Sequence, residues 1–276
     1  MIDSLMHDLS AKIAGNLEAF GNSYFSEYPE ILSLLSLTNS PLNSDPYLAV
    51  SKSVTKPYAP IRIDLAVLHF CILKRSVLEV LEFGVGYSTK VMAHALSLNR
   101  LRFQNSLQNL RLTDPFTVTS IDNYKKYIRK TRRSTPTFLR DFINFRYSPV
   151  TMTTFNGRIS TKYKRFPGIF PELVYLDGPS QNHVKGNVNG VTTSNFCAMP
   201  MASDLLIYEH FFKPGTLIIV DGRTANTRFL LRNFQRNWEY RYFEPTDQHF
   251  FELIESPLGK WNKEHLYFVR SQNNKV

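Results

Sequence analysis

Apolar and polar residues alternate with two different periods along the chain. From residue 3 to about 37, apolar side chains recur every three or four positions, which predicts amphipathic helices, and Pro29 fits the first turn of one of them. Residues 38–60 are rich in turn formers and predict a connecting loop. A compact apolar stretch at 61–73 predicts another helix before the pattern changes.

Four short apolar runs, rich in Val, Ile and Leu, each end at a carboxylate. They precede Glu82, Asp122, Asp177 and Asp221, and a glycine or a polar turn follows each one. Such runs are typical of buried parallel strands, whose carboxyl ends share one edge of an open α/β sheet. Because crowded carboxylates repel each other, four of them at one edge indicate a ligand-binding site.

The first of these strands leads directly into two glycines and a helix. Gly84 and Gly86 allow a tight turn and a close approach to a ligand, and Ser88 lies in the first turn of the helix. A lone Gly-x-Gly is common, so this turn gains meaning only together with the other strand ends. Asp122 suits the vicinal hydroxyls of a ribose, or it caps the helix that begins near Tyr124; both roles can hold together.

Further strands are expected later in the chain. We expect a third strand at 147–155, closed by a turn at Asn156-Gly157. Two β-rich segments, 238–254 and 266–270, flank a turn at 256–259. These segments extend the sheet toward the C-terminus.

Composition limits the class of protein. The chain has 276 residues, of which 43% are hydrophobic and 20% charged, enough for one large domain with an appendage. No apolar run approaches the ~20 residues of a membrane span, and the N-terminus lacks the layout of a secretion signal, so we expect a cytoplasmic protein. Cys71 and Cys197 lie far apart and predict neither a disulfide framework nor a zinc site.

The charge balance favours an anionic partner. The net charge is +10 and the pI is about 9.5. Residues 125–133 contain six basic side chains and no acid, which form either a solvated helix face or a patch for phosphate backbones or acidic glycans. Charge alone does not choose between these alternatives.

The order of the motifs resembles the class I S-adenosylmethionine-dependent methyltransferases over roughly residues 62–270. The resemblance rests on Glu82-Phe83-Gly84-Val85-Gly86, on Asp122 and Asp177 at later strand ends, and on Lys213-Pro214-Gly215. It implies a Rossmann-like α/β fold: a mostly parallel seven-stranded sheet with helices on both faces, an antiparallel C-terminal hairpin and an N-terminal helical appendage. The appendage and its linker would occupy residues 1–60, and the domain 61–276.

The same resemblance implies a cofactor site. Glu82, Gly84, Gly86 and Ser88 would enclose the methionine part of S-adenosylmethionine, and Asp122 would hold the ribose. Asn156 and Gly157 would border the adenine, and Asp177 would face the sulfonium. Where many members have a third glycine, this chain has Tyr87 or Ser88, which argues against a nicotinamide-binding protein.

Within that family, Tyr175-Leu176-Asp177-Gly178-Pro179 and Val220-Asp221-Gly222 resemble the O-methyltransferase branch that includes catechol-type enzymes. That branch implies a divalent cation such as Mg²⁺ on Asp177 and Asp221. Gly222 replaces the usual asparagine ligand, which leaves the metal open, and Asn226 is a possible substitute. Without a metal, His183 is the best-placed general base.

The last candidates concern the acceptor. Arg223 and Arg228 could bind an anionic group of the substrate, or pair with the nearby acids. Residues 181–200 form a long segment that we expect to order over the substrate. The expected function is transfer of a methyl group to an oxygen of a small molecule or glycan. A nucleic-acid methyltransferase and a non-catalytic nucleoside-binding protein are the alternatives.

Overall fold

The fold is described from a computed structural model, which covers residues 2–13, 16–36, 61–108, 110–195, 199 and 201–272. The predicted loop at 38–60 and Cys197 lie outside these ranges. The helices are α1 (Ile2–Ile13), α2 (Leu17–Tyr24), α3 (Pro29–Ser36), α4 (Arg62–Lys74), α5 (Tyr87–Phe103), α6 (Lys125–Ser134), α7 (Asp204–Ile207), α8 (Thr224–Leu231) and α9 (Gly259–Gln272). The strands are β1 (Glu79–Phe83), β2 (Thr117–Asp122), β3 (Ile143–Tyr147), β4 (Val150–Phe155), β5 (Arg158–Tyr163), β6 (Leu173–Leu176), β7 (Val184–Lys185), β8 (Leu217–Asp221), β9 (Trp238–Phe243) and β10 (Gln248–Leu253).

The main sheet has seven strands in the order β3-β2-β1-β6-β8-β10-β9. Neighbouring strands in the series β3, β2, β1, β6 and β8 pair in parallel, and β10 pairs antiparallel with both β8 and β9. This topology confirms the predicted α/β fold with its antiparallel C-terminal hairpin. Because β1, β2, β6 and β8 are parallel, their carboxyl ends lie along one edge, as the four acidic strand ends predicted.

Both faces of the sheet are covered. Val80 packs in one buried cluster with residues of α4 and α5, and its neighbour Leu81 packs in a second cluster on the opposite face. Alternate side chains of a strand point to opposite faces, so a strand buried on both sides needs a continuous apolar run. This explains why the runs before the acidic residues contain so few polar positions.

The described N-terminal helices join the first of these two clusters. Their buried residues include Leu5 and Leu9 of α1 and Phe20 of α2, at the helical spacing that predicted them. Ion pairs from Lys74 to Asp8 and from Arg241 to Asp3 tie α1 to the body of the protein. The division into an appendage at 1–60 and a domain at 61–276 stays a prediction.

Two expected strands are placed differently. The third strand of the main sheet is β3, whereas most of the segment predicted for it, 147–155, forms β4 of a separate three-stranded sheet, β5-β4-β7. Asn156 and Gly157, with φ of 48° and 74°, make the tight β4–β5 hairpin turn that such residues favour. The β-rich residues 266–270 belong to α9, because Asn262, Leu266 and Val269 are buried at helical spacing.

No helix in the described ranges has both the length and the hydrophobicity that a membrane span requires.

Candidate active site

A cavity of about 540 Å³ opens at the carboxyl edge of the parallel strands. It lies between the β1–α5 turn, α6, the β6 and β8 ends and the start of α4. Several side chains and glycines that the sequence singled out line it: Gly84, Gly86, Ser88, Asp122, Asp177 and Asp221. The structure therefore brings most of the predicted site residues to one place.

The glycine turn is shaped by close backbone packing. Gly84 has φ of +108°, a conformation that favours glycine, and its N–H donates to the Ile121 carbonyl at 2.9 Å. A Cβ built on Gly178, at the end of the neighbouring strand, would lie only 2.6 Å from the Gly84 nitrogen. Two strand ends can meet this closely only because both carry glycine, and their junction forms the floor of the cavity.

Glu82 has a different role from the one expected. Its carboxylate is fully buried outside the cavity lining and accepts hydroxyl hydrogen bonds from Ser88 (2.5 Å), Thr89 (2.6 Å) and Ser120 (2.5 Å). Burial raises its pKa to about 7, although these three hydrogen bonds favour the charged form. Glu82 thus fixes the start of α5 and the hydroxyl of Ser88 rather than enclosing a ligand itself.

Asp122 makes the helix-start contact and also faces the cavity. One of its oxygens, Oδ1, accepts the Tyr124 backbone N–H at 2.6 Å, and the side chain lines the cavity. Burial raises its pKa to about 7, partly offset by hydrogen bonds from the backbone N–H groups of Tyr124, Val85 and Asn123. Because a carboxylate oxygen can accept more than one hydrogen bond, the side chain keeps acceptor capacity toward the cavity.

A third acidic residue joins Asp177 and Asp221, and the sequence analysis missed it. Asp64, in the first turn of α4, lines the same cavity. Burial, then the neighbouring Asp221 and Asp177 carboxylates, raises the pKa of Asp64 to about 9. Desolvation and Asp221 likewise raise the pKa of Asp177 well above its usual range. This end of the cavity gathers three carboxyl groups whose charged forms lack a full counter-charge.

Asp221 and Arg223 are largely engaged with protein groups. The Asp221 oxygens accept hydrogen bonds from the Tyr175 hydroxyl at 2.7 Å and from Gln248 at 3.1 Å. Arg223 donates to the main-chain carbonyls of Asp177 (2.9 Å) and Pro179 (3.4 Å). Arg223 therefore holds the loop after β6, close enough to favour the charged form of Asp177.

Besides Glu82, four predicted residues lie away from the cavity lining. His183 stacks on Tyr124 with ring centroids 3.8 Å apart, and its Nδ1 is 2.9 Å from Ser180 Oγ. Arg228 is exposed on α8, and the Asn156-Gly157 turn closes the β4–β5 hairpin. The structure thus offers no support for a catalytic His183, a substrate-binding Arg228 or an adenine site at Asn156 and Gly157.

The donor set does not fit a divalent cation. Within the described ranges, no group of three His, Cys, Asp or Glu residues is placed to hold a metal ion. Asn226, the possible substitute ligand, is buried and uses its amide on the backbone N–H and carbonyl of Ala202, at 2.8 and 3.1 Å. With both Asp221 oxygens bonded and Arg223 beside Asp177, the ligands a hard cation requires are missing.

No protein-family model and no curated protein matches the chain. Solved structures do match: an SAH-bound methyltransferase from Podospora anserina is 12% identical, with a TM-score of 0.45, over 82% of this chain and 88% of its own. An O-methyltransferase from Streptomyces achromogenes involved in tomaymycin synthesis, in complex with SAM, is 14% identical over 85% and 95%, with a TM-score of 0.40. An O-methyltransferase from Bacillus cereus in complex with SAH is 13% identical over 84% and 96%, with a TM-score of 0.39. Similarity at this level leaves the activity to be inferred from the residues of the cavity.

Proposed function

We propose that this protein transfers a methyl group from S-adenosylmethionine to an oxygen atom of an acceptor. The observation that carries the proposal is the cavity itself, in which a glycine turn, a ribose-type carboxylate and an acidic end lie together. Its volume of about 540 Å³ lies in the range of small-molecule sites.

The residues present fit this cofactor in charge and in shape. Asp64 and Asp177 provide negative charge for a ligand with an ammonium and a sulfonium group, and their raised pKa values indicate carboxylates that a cation would stabilise. Asp122 suits the ribose hydroxyls. Gly84 and Gly86 leave the turn without side chains where the ligand approaches.

The residues of the protein align the two reactants and remove a proton from the acceptor hydroxyl. When bound, S-adenosylmethionine would supply an electrophilic methyl group, whose displacement asks mainly for alignment and a deprotonated acceptor. We assign the proton transfer to Asp177: its carboxylate would take the proton of the acceptor hydroxyl whose oxygen receives the methyl group that the cofactor would supply. Burial and the neighbouring Asp221 carboxylate raise the pKa of Asp177, and a higher pKa makes its charged form a stronger base.

Asp177 replaces His183 as the proposed base because only Asp177 lines the cavity. Arg223 supports it by fixing the loop that carries it. No step is assigned to a metal ion.

The proposed acceptor is a small molecule or a glycan with a free hydroxyl. The basic residues of α6 favour a second candidate, methylation of nucleic acid, which predicts binding that weakens steeply with salt. The two candidates share the cofactor site and differ only in the acceptor.

Calorimetry with S-adenosylmethionine and S-adenosylhomocysteine tests the proposal directly. Both ligands should bind the wild type, and Asp122→Ala should weaken binding about 100-fold, because hydrogen bonds to a charged group are lost. The matched control is Asp141→Ala, which removes an exposed carboxylate outside the cavity lining. Absence of binding to the wild type would refute the proposal, and binding without turnover on any acceptor class would favour a non-catalytic role.

A further inference from the structure

Lys90 is a buried cation on the wall of the cavity. Its side chain leaves α5 toward the C-terminal end of α6, and the residue is only 5% exposed. Its Nζ lies 4.2 Å from the centroid of the Tyr87 ring and 3.4 Å from Ser134 Oγ. None of the ion pairs in the described part of the chain includes Lys90.

The surroundings of Lys90 are unfavourable to its charge. Burial lowers its pKa, and the nearby Lys130 lowers it further. A buried ammonium without a carboxylate partner is costly, and groups of this kind are concentrated at binding sites. A bound anion would supply the missing charge.

The basic run of the sequence continues this wall outward. Lys126, Arg129, Lys130 and Arg133 share one face of α6 and line a surface depression of about 510 Å³. Their i, i+3, i+4, i+7 spacing extends the face over about 10 Å. Lys130 and Ser134 line both the depression and the cavity, so the two adjoin. Among the residues that the structure describes, no acidic side chain lines the depression.

The remaining cations of the run are directed to aromatic rings. Lys125 lies 4.5 Å from the ring centroid of Tyr147, and Arg132 lies 5.3 Å from that of Phe145. The six basic residues therefore do not form one extended track. Four of them face the depression, and this bounded arrangement suits a compact anion better than a long polymer.

We propose that Lys90, Lys130 and the basic face of α6 bind the phosphate or pyrophosphate group of the methyl acceptor, which is a compact phosphate ester. The identification as acceptor rests on the proposed function. The anion site itself rests on the buried Lys90, which has no ion-pair partner among the described residues, and on the depression that adjoins its cavity. Phosphate oxygens would accept hydrogen bonds from Lys90 and Lys130 inside and from Arg129 and Arg133 outside.

Calorimetric titration with inorganic pyrophosphate at low ionic strength provides the test. Lys130→Ala and Arg133→Ala should each weaken binding about tenfold, since each removes a charge-assisted contact. The matched controls Lys125→Ala and Arg132→Ala remove the same charges from the same helix, and we expect changes below about twofold. Equal losses in all four variants would show general charge attraction and would overturn the site.

Lys90→Met tests the inner part of the site. The substitution keeps an unbranched apolar side chain against Tyr87, and thermal unfolding reports whether the fold is retained. Pyrophosphate affinity should fall about tenfold. If this variant does not fold, the exposed Lys130 and Arg133 variants still decide the question.

A second titration separates an acceptor site from the cofactor site. Pyrophosphate should bind the complex with S-adenosylhomocysteine with an affinity within about threefold of that of the free protein, because acceptor and cofactor occupy the site together. Displacement by S-adenosylhomocysteine would assign the lysines to the cofactor carboxylate and would overturn the proposal. If single-stranded RNA bound more tightly than pyrophosphate and its binding depended on α6, the proposal of a compact phosphate ester would be wrong and nucleic acid would be favoured.

The two proposals can fail separately. The first pyrophosphate titration contains no methyl donor, so absent pyrophosphate binding refutes the phosphate site alone. Absent S-adenosylmethionine binding refutes the proposed function and with it the identification of the anion as the methyl acceptor, while the anion site itself stands.

Discussion

His69 Nε2 and His94 Nδ1 lie 2.9 Å apart in the buried layer between α4 and α5. The contact belongs to a chain of hydrogen bonds: the Tyr24 hydroxyl is 2.9 Å from His69 Nδ1, and His94 Nε2 is 2.8 Å from Glu30 Oε1. Because Tyr24 and Glu30 lie on α2 and α3, these hydrogen bonds connect the N-terminal helices to α4 and α5. Glu30, the last residue in this series of hydrogen bonds, is partly exposed.

The two buried histidines should make the fold less stable in mild acid. Burial lowers the pKa of both histidines below the ordinary 6.5, so the unfolded polypeptide takes up protons at these positions that the folded protein does not. Their contribution to the free energy of unfolding should therefore fall as the pH decreases below about 6.5, whereas the buried carboxyl groups with raised pKa values act in the opposite direction. In urea denaturation, the stability of His69→Phe relative to the wild type should therefore be higher at pH 5 than at pH 6.5. His7→Ala, which removes an exposed histidine, is the control, and an unchanged relative stability of His69→Phe between the two pH values would contradict the prediction.

Glu82→Ala should destabilise the fold by about 3 kcal/mol, because it leaves three buried hydroxyl groups without their acceptor. Urea denaturation measures the loss. Glu264→Ala removes a carboxylate from the surface of α9 and should change stability by less than about 0.5 kcal/mol. A similar small effect for Glu82→Ala would mean that the hydroxyl groups find other partners.

Cofactor binding should release protons near pH 8. Asp64 has a pKa of about 9 and is mostly protonated there in the free protein, whereas a bound ammonium group favours its charged form. Calorimetry in buffers of different ionisation enthalpy measures the number of protons released. Asp64→Asn should abolish most of the release, and proton uptake by the wild type would contradict the assignment.

Removal of divalent cations should leave the protein unaffected. EDTA should change neither the affinity for S-adenosylhomocysteine nor the rate of methyl transfer, because the acidic residues lack a complete ligand set. Added Mg²⁺ should leave the melting temperature unchanged. A rise in melting temperature that disappears in an Asp177→Asn, Asp221→Asn double variant would show a metal site after all.

The acidic edge of the sheet followed from local patterns. Apolar runs ending at Glu82, Asp122, Asp177 and Asp221 specify buried parallel strands, and parallel strands bring their ends together without any knowledge of tertiary packing. What each acid contacts did not follow. Both acids lie near a strand end, but Glu82 precedes the last residue of β1 and accepts hydrogen bonds from buried hydroxyl groups, whereas Asp122 is the last residue of β2 and faces the cavity.

The residues that the sequence patterns missed or placed wrongly also have local explanations. An acid in the first helical turn, such as Asp64, is commonly explained by the helix dipole, so no pattern marks it as a cavity residue. An Asn-Gly pair specifies a hairpin turn but not the sheet to which the hairpin belongs. Residues 266–270 carry β-favouring side chains, and their burial against the core decides for a helix.

The small β5-β4-β7 sheet links two segments that are distant in sequence. β4 follows β3 of the main sheet, and β7 belongs to the loop after Asp177. The pairing of Val150 with Val184 therefore joins these two connecting segments in one small sheet beside the cavity. An insertion at the Asn156-Gly157 turn would lengthen only the free end of the β4–β5 hairpin. An insertion between Asp177 and Val184 would instead lengthen the connection from β6 to β7, and with it would change the position of Asp177.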